Sequence, residues 1–132
     1  MVLIDTSVWI QLYRKKTTTL GELLWALAAK NEAAVCGQIW VEFLGGFKKE
    51  LERKRFEKSL QAFRFLETTF AAYQLASDLA AQYPQLGASD AIIAATAMTQ
   101  NCSLLTLDRD FKPLQARGLA IVSGIGDLHQ KS

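Results

Sequence analysis

The sequence predicts an α/β fold layered around a mainly parallel sheet. Short apolar runs of strand length alternate along the chain with longer stretches of helical periodicity. Runs such as Val2-Leu3-Ile4 are apolar throughout and not alternating, as in strands covered on both faces. No internal repeat, low-complexity stretch or linker interrupts the pattern, so residues 1–132 read as a single domain.

The elements follow in order. Val2 to Asp5 reads as a short buried strand, and the capping types Asp5, Thr6 and Ser7 start a helix through about Tyr13. Leu20, Leu23, Leu24, Leu27 and Ala28 have the spacing of an amphipathic helix ending near Lys30. Ala33 to Cys36 is a second strand, stopped by Gly37. Ile39 to Leu44 begins a helix that Gly45-Gly46 breaks. Lys48 to Phe65 reads as one long charged helix with an apolar stripe at Leu51, Phe56, Leu60 and Phe63, and Phe65 to Glu67 as a short strand. Phe70 to Tyr83 is helical and ends before Pro84. Gly87-Ala88-Ser89 leads into a helix from Asp90 to about Gln100. Leu104 to Leu107 is a strand, Phe111 to Arg117 a short helix closed by Gly118, and Leu119 to Val122 the last strand.

Composition narrows the class. Half of the 132 residues are hydrophobic and 21% are charged, the balance of a folded globular chain. A net charge of +2 confines any nucleic-acid contact to a local patch. The two cysteines, Cys36 and Cys102, lack metal-site spacing, so a reduced core in a cytoplasmic protein is expected. No basic leader precedes the first strand, and no uncharged apolar run approaches the roughly 18 residues of a membrane span.

Four acids stand in apolar surroundings. Asp5 ends Val2-Leu3-Ile4, Glu42 lies within Ile39-Trp40-Val41-Glu42-Phe43-Leu44, Asp90 opens Asp90-Ala91-Ile92-Ile93, and Asp108 closes Leu104-Leu105-Thr106-Leu107. All four are expected to be buried, where a carboxylate must be paired, protonated or bound to metal. Arg109 follows Asp108, and no other base adjoins any of them. Acids without matching bases point to Mg²⁺ or Mn²⁺, which take oxygen ligands. In a parallel sheet, ligands gather beyond the carboxyl ends of the strands, and these positions can converge there. Taken singly, Asp5 and Asp90 also suit helix N-caps, Asp108 a turn and Glu42 a solvated helix face. Rival chemistries lack parts. There is no glycine-rich phosphate loop, and the only histidine, His129, is the fourth residue from the end, before the polar tail Gln130-Lys131-Ser132.

Four blocks in order carry a family resemblance: Leu3-Ile4-Asp5-Thr6-Ser7-Val8-Trp9, Val41-Glu42-Phe43-Leu44-Gly45, Ser89-Asp90-Ala91-Ile92-Ile93-Ala94-Ala95-Thr96-Ala97 and Leu105-Thr106-Leu107-Asp108-Arg109-Asp110-Phe111. They resemble the signature blocks of PIN-domain nucleases, most of all the VapC-type toxins of toxin–antitoxin pairs, over essentially the whole chain. The resemblance implies a PIN-like three-layer α/β/α sandwich and a metal-dependent endoribonuclease. Asp5, Glu42, Asp90 and Asp108 match the catalytic quartet, with Asp5, Asp90 and Asp108 on the metal. Thr6 and Thr106 match the hydroxyl positions that hydrogen-bond the acids. Asp110 matches a further acidic position, and Asp108 is preferred over it because it directly ends the strand. Mg²⁺, with Mn²⁺ as substitute, is the implied cofactor. The implied partners are RNA, a second copy of the chain and a cognate antitoxin that blocks the acids.

Around this site the sequence offers cations and aromatics. Lys48, Lys49 and Arg53 belong to the run Lys48–Lys58, which reads either as a phosphate-binding ridge or as a solvated face of i,i+4 pairs. Arg14-Lys15-Lys16 closes the first helix, where cations suit the dipole or an RNA. Tyr13, Leu24, Trp25 and Phe47 offer a surface for an antitoxin or a dimer contact. Two other readings remain at this point: a catalytically silent PIN scaffold that only binds, and a PIN nuclease of RNA processing.

Overall fold

The computed structural model describes residues 1–15 and 18–122. Lys16, His129 and the tail Gln130-Lys131-Ser132 lie outside the described residues. The chain runs β1 (Val2–Ile4), α1 (Thr6–Lys15), α2 (Thr18–Ala29), β2 (Ala33–Cys36), α3 (Gly37–Gly45), α4 (Glu50–Leu60), β3 (Arg64–Leu66), α5 (Phe70–Gln82), α6 (Ala88–Thr99), β4 (Ser103–Leu105), a 3-10 helix (Arg109–Arg117) and β5 (Ile121–Val122). Among the described residues no helix is long and apolar enough to cross a membrane.

The strands form a sheet in the order β3-β2-β1-β4-β5, and every neighbouring pair is parallel. Leu3 sits opposite both Ala34 and Leu104, so the β1 register is set from two sides. β1 and β2 are buried along their whole length, while the edge strand β3 buries only Leu66. The order moves outward from β1 to β3 and then returns to β4. Right-handed crossovers therefore put the helices before β3 on one face and α5 and α6 on the other, which is the three-layer sandwich. The reversal leaves a switch point between the carboxyl ends of β1 and β4, where ligands bind in sheets of this kind.

Two strands are entered through the same helix ending. Asn31 and Asn101 adopt positive φ, 57° and 56°, just after α2 and α6. Glu32 and Asn31 donate to the carbonyls of Leu27 and Ala28, and Cys102 and Asn101 to those of Ala97 and Met98. This is the Schellman pattern, in which asparagine tolerates the left-handed residue. Gly118, at φ 103°, ends the 3-10 helix with the same pair of bonds, to Gln115 and Leu114.

Several sequence expectations need correction. The charged helix stops at Leu60 and not Phe65, because the chain turns over Gln61–Phe63 to enter β3. Phe63 is buried in that turn and packs edge-on against Trp9 at 4.9 Å, while Leu51, expected on the inward stripe, is 75% exposed. β4 ends at Leu105, and Leu107 is exposed. The segment read as Phe111–Arg117 is a 3-10 helix that begins at Arg109. Leu24 is fully buried and cannot serve a partner, whereas Trp25 remains partly exposed.

Candidate active site

The site is built where β1 and β4 end side by side. The Asp5 N–H donates to the Leu105 carbonyl at 2.9 Å, fixing the two strand ends to each other. Trp9 reaches back from α1 to donate its indole N–H to the Ile4 carbonyl at 3.2 Å. The Asp5 carboxylate is buried, and its Oδ2 accepts from Ser7 Oγ at 2.7 Å and Thr106 Oγ1 at 2.8 Å. Each hydroxyl is also an acceptor: Ser7 Oγ takes the Leu107 N–H and Thr106 Oγ1 the Asp108 N–H, both at 3.0 Å. A hydroxyl that accepts from a backbone N–H has its own hydrogen aimed elsewhere, here at Asp5. The loop after β4 is thus tied to the first acid through two side chains.

The other acids come from three further elements. Glu42 lies on α3, and its Oε1 accepts from Thr6 Oγ1 at 3.1 Å. Asp90 is in the first turn of α6, whose N-cap is Gly87, so Asp90 itself is not the cap. The α6 start is held against α3 by Gln38 Nε2, which donates to Ser89 Oγ at 2.8 Å. Asp108 caps the 3-10 helix, its Oδ1 accepting from the Asp110 N–H at 2.9 Å.

Electrostatics put these groups in one field. The Asp90 carboxyl is pushed up to about 6, first by burial and then by the charges of Asp5, Asp108, Glu42 and Asp110. Asp108 acts on it more strongly than Asp110 does. The Asp5 carboxyl is raised by burial, against the hydrogen bonds from Ser7 and Thr106, which lower it. Among the described residues no ion pair involves any of the four acids.

The burial expected of all four holds only for Asp5. Asp90 and Asp108 are half-buried and Glu42 is exposed. On α3 the inward residues are Ile39, Phe43 and Leu44, and Val41 and Glu42 point out. Asp108 does not directly end the strand but follows it by three residues, beyond exposed Leu107. Of the basic residues, Lys48 and Lys49 line a groove of about 430 Å³ with Glu42, Tyr13, Phe43 and Phe47, and Arg14 lies on the same wall. Arg53 is turned to its own helix, 3.7 Å from Glu50 and 3.5 Å from Glu57. The sequence reading missed the role of Ser7. Its position two residues after Asp5 at a strand-to-helix turn was the available signal, since serine there bonds locally. Its second partner, Leu107, lies a hundred residues away.

For a divalent ion the donor chemistry fits: hard oxygen ligands, no cation among them, and one carboxyl pushed up to about 6 by burial and then by its neighbours' charges. Among the described residues no three or more histidine, cysteine, aspartate or glutamate side chains are grouped to hold an ion between them. A site with few direct carboxylates and several retained waters, the habit of Mg²⁺, fits this arrangement.

Comparison with known proteins agrees with the fold. Residues 2–116 match the PIN domain family. Ribonuclease VapC1 of Rickettsia felis is 29% identical over 134 residues, spanning 92% of this chain and 96% of that protein. Among solved structures, a toxin–antitoxin complex from Klebsiella pneumoniae superposes with a TM-score of 0.76 at 25% identity, covering 93% of this chain and 97% of its counterpart. VapBC2 from Rickettsia felis, bound to a DNA fragment from its promoter, gives 0.77 at 20% identity, over 92% and 98% of the two chains. The chain therefore belongs to the PIN-domain family, and over nearly its whole length it is similar to the family's VapC-type members.

Proposed function

We propose that the chain is a Mg²⁺- or Mn²⁺-dependent endoribonuclease and the toxin half of a toxin–antitoxin pair. One observation carries the metal reading: burial, and then the charges of Asp5, Asp108 and Glu42, push Asp90 up to about 6, and among the described residues hydroxyls orient Asp5 and Glu42 while no cation pairs with any of the four. Asp5, Asp90 and Asp108 are the residues that would hold the ion, not all three directly but in part through retained waters. When bound, it would neutralise charge on the phosphate and leaving oxygen and acidify a water. Ser7 and Thr106 keep Asp5 turned to the site. Glu42, exposed and fixed through Oε1 by Thr6, offers Oε2 to take a proton from the attacking water.

The toxin reading rests on the likeness to a ribonuclease and to toxin–antitoxin complexes. A cognate antitoxin would lay an apolar segment along the Tyr13, Phe43 and Phe47 groove and place an arginine beside Glu42. Lys48 and Lys49, on the same wall, would otherwise meet RNA phosphates. A homodimer is part of the same proposal.

Expression in a bacterial host tests it. The wild-type chain should arrest growth, cut RNA with added Mg²⁺ and be dimeric in solution, and a small protein encoded beside it should relieve the arrest. Asp5→Asn and Asp90→Asn should each lose at least about a hundredfold in cleavage, since even outer-shell partners of a metal site cost 10- to 100-fold. A harmless wild-type chain, or undiminished toxicity with both acids neutralised, would show the toxin reading to be wrong.

A further inference from the structure

A second cleft, about 470 Å³, shares no lining residue with the aromatic groove, and its lining includes Thr106, Asp108, Arg109, Lys112 and Gln115. It is continuous with the acidic centre, since Thr106 binds Asp5 and Asp108 acts on Asp90. Its outer wall follows from the 3-10 conformation. At three residues per turn, positions i, i+3 and i+6 fall in one row. Arg109, Lys112 and Gln115 stand at that spacing and together line the cleft, while Phe111 and Leu114 turn into the core. An α-helix would fan the three residues apart. Arg109 and Lys112 are exposed and, among the described residues, neither is ion-paired. Arg53 and Lys54, by contrast, are paired on α4. Among the described residues that line the cleft, Asp108 is the one carboxylate, against two cations and an amide.

We infer that the Arg109–Lys112–Gln115 row is a phosphate-binding subsite for the RNA strand on one side of the bond to be cut. The inference rests on the ribonuclease reading and extends it. A strand entering over Arg14, Lys48 and Lys49 crosses the acids and leaves along this row, so cations grip the backbone on both sides of a centre that would otherwise repel it. The contacts are charge to phosphate and carry no sequence preference.

The test measures binding of a single-stranded RNA to the Asp90→Asn protein in chelator across a salt series, beside cleavage by the wild-type protein with Mg²⁺. Arg109→Gln with Lys112→Gln should lower the slope of log affinity against log salt by about 1.4, at about 0.7 per phosphate contact on a single strand. The swap of Arg109→Lys with Lys112→Arg should keep the slope. Lys30→Gln with Arg64→Gln removes the same charge at the opposite rim, where β2 and β3 begin, and should also keep it. Melting temperatures check that each variant folds. If wild type binds and cuts RNA while the cleft variant keeps its slope, or if the opposite-rim control loses as much, the subsite is refuted and the ribonuclease reading stands. If wild type neither binds nor cuts RNA, both are refuted.

Discussion

Helix α4 and the rim of the sheet use carboxylates in opposite ways. On α4, Glu50 and Glu57 lie three and four residues from Arg53, and Glu50 also reaches Lys54, all on a solvated face. The helix period alone makes these pairs, and each is weak in water. At the rim, Asp5, Glu42, Asp90 and Asp108 come from four separate elements, none meets a cation among the described residues, and hydroxyls orient two of them. The fold spends stability to hold like charges together there, as functional sites do. A carboxylate whose partner lies one turn away is a surface detail. A carboxylate that the chain brings into the field of other carboxylates, with serine and threonine to aim it, is what the proposed metal site requires.

The sharpest way to break this comparison is to remove an aiming hydroxyl and leave every acid in place. Thr106→Val keeps the shape, strips Asp5 of one donor and leaves the Asp108 N–H without its acceptor. Cleavage should fall by about 10- to 100-fold, the usual cost of an outer-shell partner. Ser7→Ala should act alike, through Asp5 and Leu107. Initial rates at saturating Mg²⁺, with melting temperature as a fold check, decide it. Wild-type rates in both variants would mean that Asp5 needs no aiming.

A smaller effect appears in the stability of the metal-free protein. The Asp90 carboxyl stands at about 6 against 3.8, and that of Asp5 is also raised. The folded state therefore holds protons that the unfolded chain has released. This contribution is complete below the unfolded value and is lost as pH climbs through the folded one. Between about pH 4.5 and about pH 7 the melting temperature should fall, by a share of the ~3 kcal/mol that two units allow, cut to ~1 kcal/mol by solvent screening at half-buried Asp90. Asp90→Asn should flatten the slope, and millimolar Mg²⁺ should raise stability at pH 7 by mass action. A melting temperature that rises with pH equally in wild type and Asp90→Asn would contradict the shared field.

How far the site was legible follows from the same contrast. Asp5 could be read because an acid closing a short apolar strand has few bland explanations. Glu42 was located, but its exposure was not. Six residues of mostly apolar sequence look buried until the helix turns Val41 and Glu42 outward. Leu107 misled in the same way, an apolar residue lengthening β4 past its last ladder position at Leu105. The end of α4 was invisible because Phe63 continues the apolar stripe, and only its packing on Trp9 shows that it belongs to a turn. Asn31 and Asn101 are a C-cap signal that stands in the sequence itself, an asparagine just past each helical run. The Ser7–Leu107 bond was out of reach, since it exists only once β1 and β4 pair.

The smallest expected effect belongs to the other side of the comparison. Glu57→Gln removes the 3.5 Å pair with Arg53 on α4 and touches nothing at the rim. Exposed pairs of this spacing contribute a few tenths of a kcal/mol, so the melting temperature should move by about 1–2 °C or less. RNA cleavage should stay at the wild-type rate, because Glu57 neither aims nor repels an acid of the site. The variant also leaves Arg53 with Glu50 as its one ion-pair partner among the described residues, and Arg53 lies outside the groove that Lys48 and Lys49 line. A gain in RNA affinity on removing this acid would place α4 in the RNA path and revive the phosphate-ridge reading. A loss of cleavage as large as that of Thr106→Val would erase the distinction between the two kinds of carboxylate.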